Sequence, residues 1–295
     1  MATHAPEVPT TAPAPRHAPG PSEPSTQPTT TEPSLQDSPT KPSLQVRNAA
    51  QVLSQSSNAV FFGGAGVSTE SGIPDFRSEA GLYHAEHTYG HSPEDLLSVT
   101  FAGENPELFF TYYKENLVHL SARPNPAHQA LANWESNGPL SAVITQNIDG
   151  LHQAAGSRTV HELHGSIWRQ YCTRCHERYT LEWTLNPTNC REPNHVVPQC
   201  PACGSMVRPD VTLYGEALPE GVMEASAQAI AAADTMIVGG TSLAVYPAAG
   251  LVDFFRGSTL ILINTSPTPL DHRADIVITQ PIGRAMEDIR SLLDE

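Results

Sequence analysis

A doubly wound α/β fold, with a mostly parallel sheet covered by helices on both faces and a small cysteine-paired module inserted in it, is predicted for this 295-residue chain. Three observations predict it. Short runs rich in Val, Ile and Leu recur at 59–62, 141–145, 235–238, 260–263 and 275–278, and strands apolar on both faces belong to buried parallel sheets. Helical stretches such as 48–56 and the Ala-rich 221–233 fall between those runs, the alternation that puts helices on both sides of a sheet. Four of the five cysteines form two Cys-x-x-Cys pairs, Cys172/Cys175 and Cys200/Cys203.

The first 44 residues do not belong to that fold. Pro, Thr and Ser dominate them, and Val8, Leu35 and Leu44 are their only large aliphatics, so burial cannot offset the entropy of ordering. Residues 1–44 are therefore expected to form a disordered tail, with 45–295 as the folded domain. No run of about twenty apolar residues is present to span a bilayer, and the N-terminus lacks the basic start and apolar stretch of a secretory signal. A cytoplasmic address and no membrane partner are the resulting expectations. The formal charge of −15 disfavours a nucleic-acid surface, which needs clustered Lys and Arg. A basic peptide suits that field better.

Cysteines in a cytoplasmic protein do not form a disulfide framework. Two knuckles let four thiolates converge on one tetrahedral ion, and Gly204 after the second pair permits the tight turn a knuckle needs. Neither pair opens a helix after a strand, as a thioredoxin-type redox pair does. The reading is structural Zn2+ on Cys172, Cys175, Cys200 and Cys203, a closed site that holds a module of about 166–207 together. Cys190, His176 and His195 lie nearby and become bystanders once four thiolates are supplied. The module separates 45–165 from 208–295.

In doubly wound sheets ligands bind beyond the carboxyl ends of the strands, which singles out the segments 64–77, 146–149, 239–243 and 264–266. The turn Gly63-Gly64-Ala65-Gly66 follows the first strand. Missing side chains at Gly64 and Gly66 let backbone N–H groups approach a pyrophosphate, and an adjoining helix start would favour its charge. The pattern continues to Thr69 rather than to a third glycine, and the chain then enters a His- and Glu-containing stretch read as a loop. Both features depart from a dehydrogenase.

The full segment Gly64-Ala65-Gly66-Val67-Ser68-Thr69-Glu70-Ser71-Gly72-Ile73-Pro74-Asp75-Phe76-Arg77 closely resembles the NAD-binding signature of the sirtuin family, the NAD-dependent protein deacylases, in its bacterial type. Further blocks follow in family order: Thr145-Gln146-Asn147-Ile148-Asp149, His164-Gly165, the paired cysteines, Arg208-Pro209-Asp210 leading to Gly215-Glu216, and Gly240-Thr241-Ser242-Leu243 with Tyr246-Pro247-Ala248. The resemblance is collinear from about Asn48 to Ile289. It implies a Rossmann-like doubly wound sheet with an inserted zinc-binding module, NAD as cosubstrate, and acylated lysine-containing proteins as partners.

The resemblance also implies site residues. Gly64, Ala65, Gly66, Thr69, Asp75, Phe76 and Arg77 fall in the block that holds the phosphates and nicotinamide ribose; an Arg offers a bidentate phosphate fork, and a Phe can shield a reactive sugar carbon. Gln146 and Asn147 fall near the ribose hydroxyls, and Ile148 with Asp149 against the nicotinamide carboxamide. Apart from the family pattern, Asn-x-Asp after a strand is an ordinary turn. Gly240, Thr241, Ser242, Asn264 and Thr265 match contacts to phosphate and adenosine ribose, and Ile282 falls where a backbone group meets adenine. Helix capping is the competing explanation for Ser242 and Asn264.

His164 is the candidate general base, with Asn147 and Asp149 completing the catalytic set, because imidazole titrates near neutral pH. His161, three residues earlier and read as sharing a helical face, is the decoy. Val211, Tyr214, Gly215 and Glu216, with Val245 opposite, are implied to pair with a peptide substrate as added strand, although Thr212 and Tyr214 stand where many relatives carry Val and Phe. Members that prefer acidic acyl groups carry a Tyr-x-x-Arg pair. Here Tyr112 is followed at that spacing by Glu115 and Tyr113 by Asn116, so a short neutral acyl group, acetyl first, is expected. The implied reaction has the acyl oxygen displace nicotinamide from the ribose, after which His164 helps the 2′-hydroxyl take the acyl group as O-acyl-ADP-ribose. Protein mono-ADP-ribosyl transfer is the alternative from the same NAD cleavage, and a non-enzymatic zinc-ribbon adaptor is disfavoured by the acidic charge. Oligomeric state and protein targets are not encoded legibly.

Overall fold

The computed structural model describes residues 42–75 and 79–294, with backbone alone for 79–83. Phe76, Arg77 and the predicted tail through Lys41 lie outside the described residues. The described strands are β1 (Ala59–Gly63), β2 (Leu140–Thr145), β3 (Val160–Glu162), β4 (Gly165–Cys172), β5 (Arg178–Thr180), β6 (Val207–Val211), β7 (Thr235–Gly239), β8 (Thr259–Ile263) and β9 (Ile276–Ile278). The helices are α1 (Leu44–Gln55), α2 (Glu79–Tyr89), α3 (Pro93–Leu96), α4 (Val99–Glu104), α5 (Pro106–Asn116), α6 (Pro126–Asn137), α7 (Leu151–Ala155), α8 (Leu181–Leu185), α9 (Glu220–Ala232) and α10 (Ile282–Leu293).

Six strands form one sheet in the order β3-β2-β1-β7-β8-β9, and every neighbouring pair is parallel. Ranked within the sheet this is 3-2-1-4-5-6, the order of a doubly wound dinucleotide sheet, whose winding reverses between its first and fourth strands. Alternation along β1 divides the core. Ala59 and Phe61 pack with Val46, Ala49 and Leu53 of α1 and with α6 and α10. Val60 and Phe62 face the other way, against Ile230 of α9 and Leu251 and Val252 of a 3-10 segment. All five β1 residues are buried, which is why these strands read as continuous apolar runs.

α1 begins at Leu44, earlier than the expected 48–56 helix and inside the stretch assigned to the tail. Ser43 caps it, its hydroxyl accepting from the Val46 N–H at 3.3 Å. The buried stripe Val46, Ala49, Ala50, Leu53 has helical spacing and starts two residues before the predicted boundary. Two further segments differ from expectation. The His- and Glu-containing stretch read as a loop includes α2, in which Gly81 is the only residue of very poor helix propensity. The segment carrying His161 is not helical: it is β3, a three-residue edge strand paired with β2, with His161 opposite Ile144. Its residues are half-buried and mostly polar, so it lacks the apolar signal of the other strands.

A second lobe joins α2–α5 to the antiparallel sheet β5-β4-β6. Phe109, Phe110, Tyr112 and Tyr113 of α5 pack with Leu181 and Val211 in its core. Beyond it the cysteine module buries very little apolar surface, essentially Val207 with Cys172 and Cys200, flanked by Tyr179 and Trp183. Such a small core needs a staple. The sulfurs of Cys172, Cys175, Cys200 and Cys203 all lie within 4.8 Å of one another, with Cys172–Cys203 at 3.4 Å and Cys175–Cys200 at 3.6 Å. A tetrahedral zinc with sulfur at about 2.3 Å requires edges of about 3.8 Å, so the four fit that ion. The two knuckles are built alike: the His176 N–H donates to the Cys172 carbonyl and the Gly204 N–H to the Cys200 carbonyl, both with positive φ. Cys190, His176 and His195 are not part of the cluster among the described residues.

Replacing Cys200 by Ala is expected to abolish stoichiometric zinc in metal analysis and to lower Tm by about 5–15 °C, since several kcal/mol of module folding are lost at about 2–4 °C per kcal/mol. Full zinc content with unchanged Tm would contradict the assignment.

Candidate active site

The register of the parallel sheet determines where chemistry can collect. Glu162 pairs with Thr145, Thr145 with Gly63, Gly63 with Gly239, Gly239 with Ile263 and Ile263 with Ile278. All six strands thus end on one line. The next residues along the chain, among them Gly64, Gln146, Gly240 and Asn264, share that edge, and His164 lies two past the end of β3. Between this edge and the second lobe is a cleft of about 220 Å³, lined by Ala65, Ser68, residues 146–149, His164, 211–216 and 245–247.

The loops leaving β1 and β7 meet backbone to backbone. The Gly66 N–H donates to the Gly240 carbonyl at 2.8 Å, and a Cβ on Gly66 would lie 2.8 Å from the Gly240 Cα. A side chain at Gly240 would overlap the Val67 amide. This corrects part of the sequence reasoning: the Gly66 N–H is already committed, and its missing side chain admits another loop. No long helix adjoins the turn either, because it continues as two 3-10 turns at Ala65–Val67 and Thr69–Ser71. Thr69 is exposed, its hydroxyl bonded to the Gly66 carbonyl, and Asp75 is half-buried.

Ser68 is the hub on the β1 side. Its buried hydroxyl donates to the Asp149 carboxylate at 2.7 Å and accepts from the Asn147 amide at 3.1 Å. The second Asp149 oxygen accepts from the Leu151 N–H at 2.8 Å, and the Asp149 carbonyl accepts from the Trp168 indole at 2.8 Å. Gln146 reaches across the sheet to the Thr241 hydroxyl at 3.0 Å. Ser68 was not among the sequence candidates, although it stands in the same block; a small polar residue between Val67 and Thr69 carries no signal of what it will join.

His164 Nδ1 lies 2.8 Å from the Gln146 carbonyl. A carbonyl only accepts, so Nδ1 carries the proton, and Nε2 is the basic nitrogen of the neutral ring. The following glycine makes this placement possible. Gly165 has φ +76°, and a Cβ there would overlap the Asp210 carbonyl of the crossing β6 strand. His161 is elsewhere on β3, and burial pushes its imidazole below the usual range.

The implied substrate segment is shaped by a partly buried ion pair. Arg208 donates to both Glu216 oxygens, at 2.6 and 3.0 Å, and to the Val211 carbonyl at 2.7 Å; Glu216 also accepts from the Leu213 N–H. Burial alone would raise the Glu216 carboxyl, but Arg208 and that N–H hold it below the usual range. The Glu216 side chain is therefore committed to shaping the loop. Tyr214 pairs through its backbone with Leu97 and Val99, and the Thr212 N–H with the His164 carbonyl. Among the described residues the Thr212 carbonyl and the Gly215 N–H keep no intramolecular partner. Val245 lines the cleft and is partly exposed.

Farther along the edge, Ser242 and Thr265 are exposed, and Asn264 donates to the Ser266 carbonyl. Neither Ser242 nor Asn264 precedes a helix, so capping does not account for them. Ile282 opens α10 with its side chain buried against Gly239, and the Glu70 carboxylate accepts from the neighbouring Gly283 N–H.

Comparison with known proteins gives one consistent result. A model of the Sir2 family matches residues 64–247. The NAD-dependent protein deacetylase of Clostridium acetobutylicum is 49% identical over 244 residues, 83% of this chain and 97% of the relative; that of Cutibacterium acnes is 48% identical over 82% and 96%. A Sir2 structure with a p53 peptide and NAD+ aligns at TM-score 0.74 and 35% identity, covering 83% of this chain and 97% of that one. Sequence, strand order and site geometry agree, and the chain belongs to the Sir2 family.

Proposed function

We propose that this chain removes acetyl and other short neutral acyl groups from lysine side chains of cytoplasmic proteins, consuming NAD+ and releasing nicotinamide and O-acyl-ADP-ribose. The observation that carries the reading is His164, whose Nδ1 is held by the Gln146 carbonyl so that Nε2 serves as base in a cleft shared with Asn147 and Asp149. The names of the relatives, NAD-dependent protein deacetylases, support it.

NAD+ is a substrate in this scheme. Gly64, Ala65, Gly66, Thr69 and Asp75, with Gly240, Thr241, Ser242, Asn264, Thr265 and Ile282, cradle the dinucleotide along the strand-end edge, the glycines by shaping it; Phe76 and Arg77, which lie outside the described residues, are assigned to NAD+ by the family block alone. Gln146 and Asn147 take the ribose hydroxyls, while Ile148 and Asp149 receive the carboxamide. The acyl oxygen displaces nicotinamide at the anomeric carbon, and His164 accepts the proton of the ribose hydroxyl that takes over the acyl carbon. Water supplies the oxygen that balances lysine release. The zinc supplies no chemistry and holds its module, about 166–207, between the two catalytic segments 45–165 and 208–295.

Peptide binding is assigned to residues 211–216 and Val245. The Thr212 carbonyl and Gly215 N–H offer an added strand its main-chain bonds, and main-chain pairing reads little sequence. No Arg or Lys lines the cleft among the described residues, so an acidic acyl group would enter without a countercharge.

His164→Ala is expected to lower deacylation by about 10²–10⁴-fold with NAD+ affinity, measured by calorimetry, nearly unchanged; wild-type turnover in that variant would end the assignment. In an acyl-peptide panel, acetyl-lysine should be cleaved faster than succinyl-lysine, and the reverse order would overturn the neutral-acyl reading. Mass spectrometry should find free lysine with O-acyl-ADP-ribose. ADP-ribose linked to protein instead would point to mono-ADP-ribosyl transfer.

A further inference from the structure

Two histidines that the mechanism does not use lie behind the nicotinamide end of the cleft. His128, in the first turn of α6, and His152, in α7, are 0% and 1% exposed, with ring centroids 4.8 Å apart. Burial drives both imidazoles down, to about 4 and about 3, so both are neutral at ordinary pH. Among the described residues, His128 Nε2 and both His152 ring nitrogens find no hydrogen-bond partner. A buried polar atom without a partner costs about 1–3 kcal/mol, which sets this ring pair apart from the apolar core around it.

The position of the pair accounts for this. His128 Nδ1 accepts from the Asn125 N–H in a capping box. The Asn125 side chain in turn donates to the Val67 carbonyl at 2.7 Å and the Ser71 hydroxyl at 3.0 Å, both in the turn after β1. On the other side, His152 follows Leu151, whose N–H is held by Asp149, and Asp149 accepts from Ser68 in that same turn. The ring contact closes a circuit: Ser68, Asp149, the start of α7, His152, His128, Asn125, and back to Val67 and Ser71.

We propose that His128 and His152 are positioning residues that brace the Ser68–Asp149 contact, and with it the nicotinamide half of the NAD+ site, through their ring contact. The inference rests on the NAD+-consuming function proposed above, and it separates the two substrates, because the circuit joins the β1 turn to Asp149 and bypasses residues 211–216.

The test is steady-state deacetylation of an acetyl-lysine peptide by the full chain and its His128→Ala, His152→Ala and double variants. Each single variant should raise KM for NAD+ about ten- to hundredfold and weaken nicotinamide inhibition, while peptide KM stays within about twofold. The double variant should be no worse than the worse single one, because both remove one contact. If the alanine variants do not fold, His128→Gln serves instead: it keeps an acceptor for the Asn125 N–H but loses the ring, and should still raise KM for NAD+. Folded variants with wild-type NAD+ and nicotinamide constants, additive losses, or equal changes in both substrates would each overturn the brace. A wild-type chain that does not consume NAD+ would refute the proposed function instead.

Discussion

The loops leaving β1 and β7 must pass each other at backbone distance, and the rest of the site is arranged around that contact. These strands are neighbours where the winding of the sheet reverses, so their loops diverge and leave a crevice. The Gly66 N–H bonded to the Gly240 carbonyl closes the bottom of that crevice. With it closed, Ala65 and Ser68 stand at the rim, Gln146 reaches Thr241 across the sheet, and the edge becomes one continuous surface. Any side chain at Gly66 or Gly240 would force the loops apart, which moves every group anchored to either.

Charge is handled differently in the two halves of the cleft. Asp149 accepts from a hydroxyl and an N–H, with no cation bonded to it among the described residues; its carboxylate is held by dipoles and stays available to a polar ligand. Glu216 is held by an Arg whose side chain is 6% exposed and by an N–H of its own loop. A pair with its Arg buried in this way contributes little net stability but is costly to break by removing the Glu alone. Its consequence is shape: the segment 211–216 has few conformations left, and its free main-chain groups are presented in one way.

The sheet was legible because parallel strands buried on both faces are apolar without interruption, and the five runs read from sequence coincide with β1, β2, β7, β8 and β9 to within a residue at each end. β3 escaped because three half-buried residues, one apolar, carry no period. The cysteine pairs and strand-end blocks were legible as residue types at fixed spacing. What they bond to was not. The Gly66 N–H, the Glu216 carboxylate and the His164 tautomer are settled by groups on other elements or loops: Gly240, Arg208 and Gln146. Ser68 and Asn125 went unread for the same reason, since their meaning lies in the partners that folding brings to them.

The β4–β6 pairing explains how a structural metal could matter to chemistry it never touches. β4 begins at Gly165, next to His164, and ends at Cys172; β6 begins at Val207, four residues after Cys203, and ends at Val211, where the proposed substrate segment starts. The two strands pair at both ends, with a register irregularity between Ser166 and Gln170; the paired cysteines stand at one end, and His164 and residues 211–216 at the other. Arg208 lies on β6 close to the module and reaches forward to Glu216. The Gly165–Asp210 crossing fixes where the imidazole emerges. A slip in β4–β6 register at the cysteine end would displace His164 and residues 211–216 together, so a zinc ion on the four cysteines would pin both in register with the parallel sheet.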